Sequence, residues 1–121
     1  MEETRLIFGA AYYAEYMPCE RLDEDMKMMR AAGFTTIRIG ESTWSTVEPR
    51  PGEYDFSYID RVIDAAEKSG ISVIIGTPTY AVPSWLVNLD ADVLATTSKG
   101  KNRYGTRQNM DITNSTFRKY A

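Results

Sequence analysis

An α/β fold with a parallel sheet is predicted by two observations: three short apolar runs alternate with two segments of helical period, and tight turns precede the later strands while long loops follow them. The runs are residues 6–12 (LIFGAAY), 34–39 (FTTIRI) and 71–76 (ISVIIG). They are short and carry β-branched residues, as strands buried on both faces tend to.

The helical segments follow from spacing. Between the first two runs Leu22, Met26 and Met29 recur at i, i+4 and i+7, with Ala32 continuing the stripe. Gly33 then stands where a C-cap glycine belongs. Between the second and third runs Ile59, Val62, Ile63 and Ala66 form an apolar face, which Gly70 ends. Ser57 can cap its first turn, and Asp60 lies near the positive end of the helix dipole. Residues 114–121 read as the start of a third helix, capped by Asn114 or Ser115.

The connections are unequal. Each helix reaches its next strand across Gly33 or Gly70, whereas residues 40–56 and 77–113 hold Trp44, Pro49, Pro51, Gly52, Pro78, Pro83 and Trp85. Such a sheet has one plain end and one elaborated end, and in parallel α/β folds the elaborated end carries function. Half a barrel and part of a doubly wound sheet both fit. Two features favour the barrel. No glycine-rich phosphate loop follows the first strand, where a dinucleotide fold needs one, and polar and aromatic residues cluster after every strand. The expectation is the N-terminal half of a (β/α)8 TIM barrel, residues 1–121 forming one partial domain of strand, helix, strand, helix, strand and the start of a third helix. A complete barrel takes about 250 residues, so about half lies outside this chain. The first and third strands would each keep one unpaired edge, and an exposed edge templates pairing with another chain. A homo-oligomer is therefore expected.

Composition excludes several classes. The 121 residues carry 14 Lys and Arg against 17 Asp and Glu, a net charge of −3, and no basic stripe that would suit nucleic acid. No apolar stretch approaches the ~18 residues of a membrane span. The first residues lack the basic start and apolar run of a signal peptide, which makes the cytoplasm the default location. Histidine is absent and Cys19 is the single cysteine. That removes Ser-His-Asp triads, Cys-His pairs, internal disulfides and cysteine or histidine zinc sites. No metal or cofactor is expected, and chemistry falls to carboxylates, arginines and aromatics.

These residues cluster after the strands as Tyr12-Tyr13-Ala14-Glu15-Tyr16, Arg38-Ile39-Gly40-Glu41-Ser42-Thr43-Trp44, residues 76–86 (GTPTYAVPSWL) and residues 103–109 (RYGTRQN). Aromatics with arginines, carboxylates and amides suit a sugar, whose C–H face stacks on rings while its hydroxyls meet forked polar groups.

The stretch RIGESTW, running on through Val47-Glu48-Pro49 and Gly52-Glu53-Tyr54-Asp55-Phe56, resembles the glycoside hydrolase family 42 β-galactosidases. The tryptophan, Glu-Pro, Gly and Tyr-Asp-Phe portion is also similar to family 35 and other clan A glycosidases. The Arg-Ile-Gly-Glu opening, GTPTYAVPSWL and the Gly105-Thr106-Arg107 element are closer to family 42. The resemblance runs over residues 6–121.

It implies a (β/α)8 barrel that hydrolyses terminal β-D-galactosides with retention, through two glutamates after strands 4 and 7, both beyond Ala121. None of the acids here matches either role, so no residue of this chain is assigned as catalytic. Arg107 matches the family's substrate-binding arginine, able to hydrogen-bond galactose hydroxyls. Arg38 matches the clan arginine that keeps the nucleophile carboxylate ionised and oriented. Glu41, Trp44 and Trp85 are implied to be pocket-wall or supporting residues, although packing suits both tryptophans, and Arg38 would equally suit a structural ion pair with Glu41. Two departures stand out. Asp111 occupies the position of a zinc-binding cysteine found in some members. The loop after the first strand lacks the proline and tryptophan of the usual Tyr-Tyr-Pro-Glu-Gln-Trp-Pro. Another clan A glycosidase, such as a β-glucosidase or arabinosidase, and a non-enzymatic sugar-binding half-barrel are the competing readings.

Overall fold

The computed structural model describes residues 6–79, 81–105 and 109–121. They form two compact units. The first comprises the described residues up to Gly40 with Ser57–Gly76, and the second Glu41–Phe56 with Thr77–Ala121.

The first unit is built on strands β1 (Gly9–Ala11), β2 (Thr36–Ile39) and β3 (Ser72–Ile75), parallel and in the order β1-β2-β3. All three lie inside the expected runs but are shorter. Residues 6–8 extend past the ladder, fastened to the chain ahead of β2 where Thr35 N–H donates to the Phe8 carbonyl at 2.8 Å. Helix α1 (Leu22–Ala31) and helix α3 (Ser57–Lys68) pack on each other.

Strand pairing fixes which residues share a face, because side chains alternate along each strand. Ala10, Ile37 and Val73 are in register on one face, as are Ile39 and Ile75. Ile37 and Ile39 are buried there, together with Leu22, Met26, Ile59, Val62, Ala65, Ala66 and Ile71. The opposite face carries Ala11, Arg38 and Ile74 in register, and Arg38 and Ile74 are exposed. One face of the sheet is core and the other is open.

The helix ends agree with the sequence in part. Gly33 (φ +88°) and Gly70 (φ +65°) adopt the left-handed backbone that ends α1 and α3 and that glycine reaches without a Cβ penalty. Ala32 does not continue the buried stripe. It is the exposed residue closing α1, its N–H bonded to the Met28 carbonyl at 2.9 Å. Ser57 is the first residue of α3 rather than its cap.

The second unit occupies the regions expected to be loops, and it has a core of its own. A single turn, α2 (Trp44–Val47), a six-residue helix, α4 (Ser84–Leu89), a short hairpin of β4 (Thr96–Thr97) and β5 (Gly100–Lys101), and α5 (Ser115–Tyr120) surround it. Trp44, Val82, Leu86, Val93, Leu94 and Phe117 are buried together. Asn114 caps α5 as expected, its side-chain oxygen accepting the Phe117 N–H at 2.8 Å. No helix among the described residues is long and apolar enough to cross a membrane.

Candidate functional site

In the first unit the C-terminal end of the sheet gathers Arg38, Tyr12 and Glu15. Arg38 is the third residue of β2, and its carbonyl accepts the Tyr12 N–H at 2.8 Å, which carries the pairing past the end of β1. On the open face it stands between Ala11 and Ile74 over a shallow groove of about 330 Å³ that Ile7, Gly9 and Thr36 also line. A methyl at Ala11 leaves the guanidinium stem room that a larger neighbour would take. Gly40 turns the chain out of β2 at φ +95°, where a Cβ would come within 3.1 Å of the Gly76 carbonyl oxygen.

The loop after β1 is pinned by two phenol–carboxylate hydrogen bonds. The Tyr12 hydroxyl donates to Asp25 at 3.0 Å, and Asp25 also pairs with Arg21 at 2.9 Å. The Tyr58 hydroxyl, in the first turn of α3, donates to Glu15 at 2.7 Å. Burial, then the Asp25 carboxylate, push the Tyr12 phenol up to about 12. Burial and the Glu15 carboxylate raise Tyr58 as well. Both phenols therefore stay protonated and act as donors, tying the loop to the two helices. Neither Asp25 nor Tyr58 was singled out from sequence, because a carboxylate one turn into a helix reads as a solvated face.

In the second unit Glu41 is half-buried in the turn that follows Gly40. Trp44 is 3% exposed and belongs to the core, its ring edge-on to Trp85 at 6.3 Å and to Phe117 at 6.1 Å. Its indole N–H donates to Glu48 at 2.7 Å. This placement suits the packing role that the sequence allowed for Trp44. Glu48, read from sequence only as part of a motif, is the buried acid of this unit. Its signal was the i, i+4 spacing from Trp44, which one helical turn brings together.

Arg107 lies outside the described residues. On its C-terminal side Asn109 is 2% exposed, its side-chain amide donating to the Arg103 carbonyl at 2.7 Å. Asp111 serves a turn, accepting both the N–H and the hydroxyl of Thr113 at 2.8 and 2.6 Å, and these bonds hold its carboxyl below the usual range. Cys19 is exposed, and no group of three or more metal-ligating side chains occurs among the described residues.

The comparisons with known proteins agree with one another. Residues 11–121 match the profile of glycoside hydrolase family 42, described as beta-galactosidase. A β-galactosidase from Thermus thermophilus is 35% identical over 116 residues, which are 95% of this chain and 18% of that protein. The crystal structure of a β-galactosidase from the psychrophilic Marinomonas ef1 is 36% identical with a TM-score of 0.84, over 94% of this chain and 18% of that one. The β-galactosidase of Bacillus circulans sp. alkalophilus superposes with a TM-score of 0.88 at 29% identity, over 98% of this chain and 18% of that one. This chain thus spans about a fifth of the length of these relatives. With a profile match over almost all of its residues, the chain belongs to glycoside hydrolase family 42, the β-galactosidase family.

Proposed function

We propose that this chain is the N-terminal part of the (β/α)8 barrel of a retaining β-galactosidase acting on terminal non-reducing β-D-galactosides. The family match over residues 11–121 carries the reading. The sheet supports it. Three consecutive parallel strands in the order β1-β2-β3 fit the start of such a barrel, and the general right-handed rule for such crossovers puts both connecting helices on one face. α1 and α3 do pack together, and the other face is left open around Arg38. The first three strands of a doubly wound sheet share this order, so the family match is what selects the barrel.

In this reading the retaining pair, one proton donor and one nucleophile about 5–5.5 Å apart, comes from other parts of the polypeptide. This chain supplies the surroundings. Arg38 projects from the open face near the strand's C-terminal end, where its guanidinium would hold the nucleophile carboxylate ionised and in one rotamer. Arg107 hydrogen-bonds galactose hydroxyls. Glu41 and Trp44 support the pocket wall, Trp44 from within the core.

The test is the complete polypeptide assayed on 4-nitrophenyl glycosides. The β-D-galactoside is expected to be turned over fastest. Faster turnover of the β-D-glucoside or α-L-arabinoside would assign the protein to another clan A activity. Binding of galactosides without hydrolysis of any glycoside would make it a sugar-binding protein.

A further inference from the structure

Glu48 is 4% exposed, and both tryptophan indoles donate to it, one to its carboxylate and one to its carbonyl. One carboxylate oxygen accepts the Trp44 indole N–H at 2.7 Å, and the other accepts the Gly52 backbone N–H at 2.8 Å. The carbonyl of the same residue accepts the Trp85 indole N–H at 2.8 Å. Its own N–H bonds the Trp44 carbonyl at 2.9 Å and closes α2. A single residue therefore holds both tryptophans of the chain, whose rings meet edge-on at 87°.

Packing alone does not call for an acid here. Burying a carboxylate is costly unless its oxygens are satisfied, and an apolar side chain of similar volume fills such a site at no such cost. What the acid adds is direction. It presents two acceptor oxygens to two donors, and each donor fixes something: the Trp44 ring plane on one side, the turn at Gly52 on the other. An amide has one acceptor oxygen, so it satisfies one of these donors and sets an NH2 against the other. Trp85 is constrained in turn by the Glu48 carbonyl at its N–H, by Trp44 at one ring edge and by Tyr120 at 5.3 Å. It remains half-buried, so part of its ring is presented outward in a fixed orientation.

We propose that Glu48 is a positioning residue that sets the ring planes of Trp44 and Trp85, and that the fit of substrate in the site depends on that pair. The second half rests on the β-galactosidase reading; the first does not.

The experiment uses the complete polypeptide labelled with 5-fluorotryptophan, the two resonances being assigned with Trp44→Phe and Trp85→Phe. Glu48→Gln is expected to shift the resonances of both rings and to raise KM for a β-galactoside by about 3–10-fold, the worth of one lost hydrogen bond, while kcat changes by less than about twofold. Trp44→Phe keeps a ring in place and removes the donor. It is expected to give a similar rise in KM, and the double variant no further rise, because both act on one contact. It also carries the test should Glu48→Gln fail to fold. A Glu48→Gln protein of lowered Tm whose Trp85 resonance and KM match the parent would show a merely structural role and overturn the proposal. A shifted resonance with unchanged KM would overturn the dependence of substrate fit on the pair. A parent protein inert towards β-galactosides would sink the function reading instead, and the fluorine spectrum alone would then decide whether Glu48 sets the rings.

Discussion

The 121-residue chain is expected to self-associate through the first unit. β1 and β3 each pair on one side only among the described strands, and Leu6, Ile7, Phe8, Ile74 and Ile75 are between 49% and 80% exposed. Their exposed portions amount to roughly three whole side chains, or about 5–9 kcal/mol if removed from water. A symmetric dimer covers the set twice, for about 10–18 kcal/mol, and edge pairing adds two to four backbone hydrogen bonds at about 0.5–1.5 kcal/mol each. Association costs about 4–15 kcal/mol. The middle of these ranges leaves a surplus of about 7–8 kcal/mol, a Kd of a few micromolar. Sedimentation equilibrium from about 0.5 to 50 µM brackets that value. The double variant Ile7→Lys, Ile74→Lys puts charges where the exposed side chains stand and is expected to sediment as a monomer with unchanged far-UV circular dichroism. A parent chain that remains monomeric and cooperatively folded over the whole range would refute the argument, because its open edges would then have to be covered from within.

Three further outcomes are expected. Gly9→Ala places a Cβ 1.6 Å from the Thr36 carbonyl oxygen, so β1 must move off β2; a loss of about 1–3 kcal/mol or more in urea unfolding is expected, and an unchanged midpoint would contradict the Gly9–Thr36 register. The Tyr12 phenol has a folded pKa of about 12 against the ordinary 10.0, so its contribution to stability is complete below pH 10 and is lost as pH rises through 12. Tyr12→Phe should flatten that alkaline arm, and phenolate absorbance near pH 11 identical in parent and variant unfolding curves would count against it. In the complete polypeptide Arg107→Ala is expected to raise KM and lower kcat/KM by the equivalent of about 1.5–3 kcal/mol with Tm preserved; unchanged kinetics would return Arg107 to an ordinary loop position.

The regular part of the fold was legible because it is periodic. Leu22 and Met26, and Ile59, Val62 and Ala66, are buried as their spacing requires, and Gly33 and Gly70 end their helices in the left-handed region. Apart from α5 and its Asn114 cap, the second unit was not legible. α2 is four residues long and α4 six, too short for a period of 3.6 to show over the 11 or more residues on which such readings rest. Their apolar residues look like a proline-broken loop, yet Val82, Leu86, Val93 and Leu94 close around Trp44. The site divided in the same way. Arg38 and Trp44 were visible as residue types after a strand, and Glu48 could have been read from its i, i+4 spacing to Trp44, whereas Asp25 and Tyr58 gave no signal because their hydrogen bonds join chain segments that only the fold brings together.

The composition of β1 shows how sheet and site constrain one another. Gly-Ala-Ala is a poor strand by intrinsic preference, and its three residues are exposed rather than core. Each has a reason in the pairing. At Gly9 the Thr36 backbone approaches so closely that no side chain fits. At Ala11 the neighbour in register is Arg38, whose stem needs the space above a small residue. The hydrogen bonds of the ladder and the flanking Phe8–Thr35 contacts hold the strand in place of side-chain packing. An apolar contact is made just ahead of the strand, where Phe8 meets Phe34 edge-on at 5.0 Å. The strand therefore keeps its C-terminal half small beside Arg38 and carries its bulk in the approach at residues 6–8. The same logic makes Ala11→Leu informative in a way that a core substitution is not: it adds apolar area on an open face, where overpacking has little to strain, and any effect on catalysis in the complete protein would come through displacement of Arg38.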